Sequence, residues 1–267
     1  MELDIYQIDA FAKNPFEGNP AAVVPLLDWL PEEVMQSIAA ENNLAETAFF
    51  VRKDGRYEIR WFTPEYEVPL CGHATLASAY VIFDKSSNVS ETEFLSKSGP
   101  LYVQKKADLI TLDFPSNPIT ACEVPSLLKE ALNEHTDQCY ETADKGRYVL
   151  VFDDEEQVLN LKPDMMKLKA LSRSLGVTAP SENYDFVSRF FAPELGIPED
   201  PVTGSFHTNL VPYWSDRLGK IELHAKQVSS RGGELYCQMI KNGDSADRIK
   251  MSGTAYEYMR GKIIITA

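Results

Sequence analysis

Cysteine is scarce. The chain has four, at positions 71, 122, 139 and 237, and no C-x-x-C pair. So few thiols scattered through 267 residues exclude a disulfide scaffold and point to reduced cysteines in a cytoplasmic protein. Basic residues are in deficit: 26 Lys and Arg against 40 Asp and Glu leave a net charge of −14. That sign argues against nucleic acid and against anionic membrane surfaces as partners. No apolar run approaches membrane-spanning length. The opening Met1-Glu2-Leu3-Asp4 is acidic and lacks a signal-peptide pattern. Neither G-x-G-x-x-G nor G-x-x-x-x-G-K-[ST] occurs, so nothing points to a nucleotide. Asp200, Ser205 and His207 are close in sequence, but no G-x-S-x-G elbow accompanies them. Cys71-x-His73 is a poor metal signal without further clustered ligands, and no metal or cofactor is expected.

Apolar residues are plentiful, at 44% of the chain, enough for a sizeable core, and 267 residues suit one large domain or two of ordinary size. The stretch from Val68 to Phe83 organises them. It reads as a turn opening into a helix at Gly72-His73, followed by Ala74, Leu76, Ala77, Ala79, Tyr80, Val81 and Phe83. Those residues cover nearly every side, and a helix apolar all round belongs in a core. Its first turn offers free N–H groups that favour an anion, and Gly72 lets a ligand approach the backbone.

The rest of the chain alternates short strands with helices. Strand patterns are expected near 3–11, 21–27, 44–51, 57–63, 92–96, 101–105 and 109–114. A helix opens at Pro31-Glu32-Glu33 and closes at Asn42-Asn43. Pro115-Ser116-Asn117-Pro118 reads as a hinge, and 126–135 as a short helix. In the second half, strands are expected near 148–152, 184–191, 221–225, 234–240, 249–251 and 262–265. Pro163-Asp164 opens a helix with Met165, Met166, Leu168, Leu171 and Leu175 inward, stopped by Gly176. A further helix runs from Gly204 to Val211, ended or kinked by Pro212.

The two halves echo each other. Arg60-Trp61-Phe62-Thr63-Pro64-Glu65 matches Arg189-Phe190-Phe191-Ala192-Pro193-Glu194 at an offset of 129 (189 − 60), and Val68-Pro69 matches Ile197-Pro198. After three extra residues Gly72 matches Gly204, and His73 matches Ser205. Gly18 with its strand matches Gly146 with its own. Two lobes of similar plan are expected: residues 1–115, completed by about 260–267, and residues 116–259. Under a rough two-fold the turns at Gly72-His73 and Gly204-Ser205 would face one small volume and hold a carboxylate or a developing enolate.

Glu46 shares a strand face with Leu44, Ala48 and Phe50, a carboxylate in an apolar row. Asp200 precedes Pro201, which holds it in an extended or turn conformation. Glu46, His73, Asp200 and Ser205 make an acid/base set suited to moving a proton. A solvent-facing row or strand-end placement for Glu46, an Asx-turn or helix cap for Asp200 and a first-turn position for Ser205 are the structural alternatives.

At these residues the sequence resembles the phenazine-biosynthesis PhzF-like family, which shares its fold with diaminopimelate epimerase. The resemblance rests on Phe16-Glu17-Gly18-Asn19-Pro20-Ala21-Ala22-Val23-Val24, Asn43-Leu44-Ala45-Glu46-Thr47-Ala48-Phe49, Arg60-Trp61-Phe62-Thr63-Pro64, Cys71-Gly72-His73-Ala74-Thr75, Glu199-Asp200-Pro201-Val202-Thr203-Gly204-Ser205 and Ser230-Arg231-Gly232-Gly233, and it spans nearly the whole chain. It implies an α+β fold of two similar, pseudo-symmetric lobes, each a barrel-like mixed sheet wrapped around a central helix, with the site between them. It implies a cofactor-free isomerase, like that acting on trans-2,3-dihydro-3-hydroxyanthranilate, and usually a homodimer. By this resemblance Glu46 carries the proton, His73 and Asp200 assist, and Gly72, Gly204, Ser205 and Asn19 bind a small carboxylate-bearing substrate. The sequence departs from the family in two places. Ala45 stands where a Ser is common, which removes one hydroxyl contact. Related epimerases carry a thiol at each helix start, whereas here Cys71 is matched by Thr203-Gly204-Ser205. A non-catalytic small-molecule or protein-binding member of the fold, and an epimerase using Cys71, are the alternatives.

Overall fold

A computed structural model describes residues 1–86, 88–243 and 246–265. Ser87, in the polar Ser86-Ser87-Asn88 stretch that reads as a turn in the sequence, and residues 266–267, in the segment expected to complete the first lobe, lie outside the described residues. The chain runs β1 (Glu2–Ala10), β2 (Asn19–Leu26), α1 (Glu32–Asn42), β3 (Glu46–Lys53), β4 (Arg56–Phe62), β5 (Glu67–Val68) and α2 (Gly72–Lys85). It continues through β6 (Glu91–Ser96), β7 (Gly99–Lys106), β8 (Leu109–Pro115), β9 (Ile119–Ala121), α3 (Ser126–Ala131), β10 (Cys139–Thr142) and β11 (Arg147–Val151). There follow α4 (Glu155–Leu159), α5 (Met165–Ala170), β12 (Ser174–Ala179), β13 (Phe186–Ala192), β14 (Ile197–Asp200) and α6 (Gly204–Leu218). The last strands are β15 (Glu222–Gln227), β16 (Gly233–Ile240), β17 (Arg248–Gly253) and β18 (Ala255–Ile264).

Two units result. One comprises Met1–Asp113 with Met251–Ala267, and the other Phe114–Lys250. The chain re-enters the first unit at Met251, ahead of the expected return near residue 260.

In the first unit β18 lies antiparallel to β1, which lies antiparallel to β2. β2 and β3 are parallel, β3 and β4 antiparallel, β4 and β6 parallel, and β6 and β7 antiparallel. The second unit repeats this scheme with different strands. β9–β10 and β10–β11 are antiparallel, β11–β12 parallel, β12–β13 antiparallel, β13–β15 parallel and β15–β16 antiparallel. Parallel neighbours need a crossover, and helices supply it: α1 and α2 in one unit, α4 with α5 and α6 in the other. The short β5 and β14 pair with β4 and β13 in the same places. A guanidinium fork recurs too. Arg60 Nε and Nη2 donate to Glu67 at 2.8 and 2.6 Å, and Arg189 Nε and Nη2 donate to Glu199 at 2.7 and 3.1 Å.

The strands β2 and β3 of the first unit and β12 and β13 of the second are buried along nearly their whole length, on both faces. In the first unit Phe49 and Val51 join Met35, Ile38 and Ala39 of α1 in one cluster, while α2 packs on β1, β2 and β3. The sheet therefore covers α2 on one side and is covered by α1 on the other. That explains why β3 is buried without interruption from Thr47 to Val51. The alternation expected there is masked because both rows of side chains are inward. Asn43 closes α1 in the left-handed region at φ 48°. In the second unit Leu128, Val158, Leu161 and Leu168, from α3, α4, α5 and the turn between α4 and α5, cover β11, β12 and β13 from one side.

Two expectations are corrected. The helix begun at Pro163-Asp164 ends at Ala170, with Asp164 accepting from Met166 N and Lys167 N as its cap. Leu175 and Gly176 belong to β12, and Met166 is exposed. Gly176 reads as a helix stop in the sequence, but its role is packing. A Cβ there would lie 2.1 Å from Phe206 Cζ of α6. The helix from Gly204 also runs past Pro212 to Leu218. The N–H that Pro212 lacks would have bonded the Thr208 carbonyl, and Asn117 N donates to that oxygen instead at 3.1 Å.

Candidate active site

In the first unit three side chains converge at the start of α2. Glu46 is the first residue of β3, on the sheet face opposite Phe49 and Val51. His73 sits in the first turn of α2, where backbone N–H groups have no intrahelical partner. Glu46 Oε2 lies 3.1 Å from His73 Nε2, and the two side chains are only 13% and 7% exposed. The approach is close but not in line for a hydrogen bond. Cys71 Sγ lies 3.6 Å from His73 Nδ1. The Asn19 carboxamide, fully buried at the start of β2, lies 3.3 Å from the same nitrogen. A carboxamide offers a donor and an acceptor, so it can serve either tautomer.

Burial pulls His73 down, but the adjacent Cys71 and Glu46 outweigh it and hold the imidazole well above its ordinary 6.5. Burial pushes the Cys71 thiol up, and the Glu46 charge pushes the same way. Ligand atoms of Glu46, Cys71 and His73 all lie within 4.8 Å of one another. That mixed sulfur, nitrogen and oxygen set is also within reach of a metal ion, which Cys71-x-His73 alone did not signal.

In the second unit Asp200 ends β14 and Thr203 precedes α6. Thr203 Oγ1 donates to Asp200 Oδ2 at 2.5 Å. Gln227, fully buried on β15, clamps the turn: its Oε1 accepts from Thr203 N at 2.9 Å and its Nε2 donates to Asp200 O at 2.7 Å. Ser205 is half-buried in the first turn of α6. Arg147 Nη2 donates to Ser205 Oγ at 2.9 Å and Arg147 Nη1 donates to Ser205 O at 3.0 Å. Burial pulls the Arg147 guanidinium below its ordinary value, opposed by Asp144, Asp200 and Glu194.

The structure therefore joins Asn19, Glu46 and His73 with Gly72 in one unit, and Asp200 with Gly204 and Ser205 in the other. Sequence reasoning missed Arg147, Gln227 and the contact of Cys71 with His73. The repeat held a signal for the first. Asn19 follows Gly18 as Arg147 follows Gly146, and His73 matches Ser205. Each first residue of the matching strand reaches the second residue of the matching helix.

Residues 8–261 match the family of phenazine biosynthesis-like proteins, PhzC-PhzF. The chain belongs to that family. An uncharacterized isomerase of Pseudomonas aeruginosa is 48% identical over 265 residues, covering 98% of this chain and 99% of its own. A PhzF-family structure from Enterococcus faecalis superposes with a TM-score of 0.93 at 45% identity, over 99% of this chain and 100% of that one. A hydroxyproline epimerase from Agrobacterium vitis shares the fold alone, with a TM-score of 0.64 at 9% identity over 98% and 92% of the two chains. The fold is the α+β, diaminopimelate epimerase-like one, and PhzF-like kinship makes the chain an isomerase-type enzyme. Among the described residues no helix is long and apolar enough to cross a membrane.

Proposed function

We propose that the protein is a cofactor-independent isomerase that moves a proton between carbons of a small carboxylate-bearing substrate, with Glu46 as general acid/base. The observation that carries this reading is the shielded Glu46 carboxylate 3.1 Å from His73 at an open helix start. Glu46 takes a proton from carbon, and the charge left on the substrate is met by the His73 imidazolium and by first-turn N–H groups at Gly72. Glu46 then returns the proton to a different carbon, so no cofactor is consumed. Asn19 holds His73 in place through either tautomer. Asp200 as an assisting acid, and Gly204 and Ser205 as substrate contacts, rest on the family resemblance. So do the homodimer and a reaction like the isomerisation of trans-2,3-dihydro-3-hydroxyanthranilate, while a cytoplasmic location rests on the few, scattered cysteines.

The test is deuterium uptake from heavy water into a turned-over substrate, found by screening small carboxylates. Glu46→Gln is expected to slow uptake by about 10²–10⁴-fold. Uptake at the wild-type rate in that variant rules the role out. Exhaustive chelation is expected to leave uptake unchanged. The contact of Cys71 with His73 favours one second reading, in which Cys71 is the base. Cys71→Ala distinguishes the two: retained uptake keeps Glu46 as the base, and a loss equal to that of Glu46→Gln moves the role to the thiol.

A further inference from the structure

We propose that Cys122 and Cys139 form a modification site, a dithiol that hydroperoxide oxidation closes into a reversible cross-strand disulfide. The two lie directly opposite each other where the chain entering α3 meets β10. Tyr140 pairs with Ala121 and Glu141 with Thr120, so the antiparallel register sets Cys139 against Cys122. Cys122 N donates to Cys139 O at 2.9 Å, which extends the pairing to these residues. Directly opposed residues in an antiparallel pair have Cα atoms about 4.5–5.5 Å apart, inside the range of about 4.4–6.8 Å that a disulfide spans. The sulfurs already face each other at 3.4 Å. Rotation about the side-chain bonds closes the remaining distance without moving the strands. Both thiols are free, Cys139 is buried and Cys122 is half-buried. Cys122, packed against the edge of the second unit's core, is the less buried of the two and is placed to meet an oxidant first.

The chemistry follows that asymmetry. Cys122 sulfur attacks one oxygen of hydrogen peroxide, the O–O bond breaks, and Cys122 becomes a sulfenic acid as its proton leaves with the departing hydroxide as water. Burial, then the neighbouring Cys122 thiol, push Cys139 up to about 12, so Cys139 enters as the thiol. Its sulfur attacks the sulfenic sulfur and the S–O bond breaks. The departing hydroxide carries off the Cys139 proton as a second water. Two thiols lose two hydrogens and two electrons, and the peroxide is reduced to two waters. The bond closes the loop 123–138, which carries α3 and walls one side of a cavity of about 310 Å³ lined by Leu128, Leu132, His135 and Leu150. Thiol–disulfide exchange reopens it. Cys71 and Cys237 are internal controls, both buried and neither with a sulfur partner among the described residues.

The experiment uses the full chain treated with hydrogen peroxide, quenched, unfolded, and titrated with a thiol reagent. Untreated protein should show four thiols, and oxidised protein two, with a mass loss of two hydrogens and a peptide joining Cys122 to Cys139. Dithiothreitol should restore all four. Cys122→Ser, at the half-buried position, should fold and form no intramolecular disulfide. Four thiols after oxidation, a bond involving Cys71 or Cys237, or a disulfide between two chains would each overturn the proposal. Reading the peptide map rather than activity keeps the outcome separate from that of the proton-transfer mechanism.

Discussion

Acid should destabilise the second unit through one imidazole. His207 lies on α6 with no solvent exposure, against the rings of Phe186 and Phe206. Its Nδ1 lies 2.9 Å from the Thr203 carbonyl. Burial pulls it from an ordinary 6.5 down to about 4, against the upward pull of that backbone contact. In the unfolded chain the same ring takes a proton near 6.5, so between those values the unfolded state binds more protons. Stability is therefore full above pH 6.5 and falls as pH drops towards 4. The interval from 6.5 to about 4 is worth about 3 kcal/mol, a large share of a typical total of about 5–15 kcal/mol. Carboxylates such as Asp144 and Asp185, held below their ordinary range by hydrogen bonds, add their own losses below about pH 4. The assay is urea unfolding from pH 8 to pH 4, followed by hydrogen exchange of α6 amides. The same series on His207→Gln isolates the imidazole. The variant should be less stable at pH 8, yet lose about 3 kcal/mol less on acidification than the wild type. Equal pH slopes for the two proteins would refute the argument, as would a wild-type curve that stays flat down to pH 5.

Three further outcomes follow from packing. Gly176→Ala sets a methyl against Phe206 and should cost about 1–3 kcal/mol, read as a lowered melting temperature; a wild-type midpoint would contradict the packing role. Arg189→Ala removes the fork to Glu199 and the donors to the Val158 and Leu161 carbonyls, at a cost of about 2–3 kcal/mol. Arg189→Lys should recover only part of that loss in the same melting assay, because an ammonium cannot span both carboxylate oxygens. Pro212→Ala should change stability by less than about 1 kcal/mol, against the roughly 3 kcal/mol usually tied to a helix-interior proline. Asn117 already satisfies the carbonyl that the missing N–H leaves free, so a large gain in the melting temperature of Pro212→Ala would show that it does not.

Much of the candidate site's local geometry could be read from the chain because its signals are local. Gly72-His73 heads a helix whose apolar residues surround it, and Asn43 closes α1 at a left-handed position. Glu46 was marked by its apolar strand neighbours, although the reading that placed them on one face missed that both faces are covered. Other features depend on contacts distant in sequence. Leu171 and Leu175 continue the helical spacing of Met165 and Leu168, but Phe206 needs the gap at Gly176, which puts that segment in a strand. Pro212 looked like a helix end because its substitute donor, Asn117, lies far back in the chain. Cys122 and Cys139 show no motif, since strand pairing rather than spacing brings them together. Arg147 and Gln227 are long polar side chains of a kind usually found at surfaces. Only the match of Arg147 to Asn19 across the repeat marked one of them.

The pairing of β18 with β1 governs the order in which this chain can be made. Glu2 sits opposite Ile264, and the Met1 amino group donates to the Ile265 carbonyl at 2.7 Å. The outer edge of β1 is thus reserved for a strand translated long after it. At about 5–20 residues per second, that edge stays open for tens of seconds, while Phe114–Lys250 is continuous and needs nothing made after it. The half translated second is the half that can finish first, and a nascent chain stalled before residue 255 would carry a folded second half beside an unclosed first.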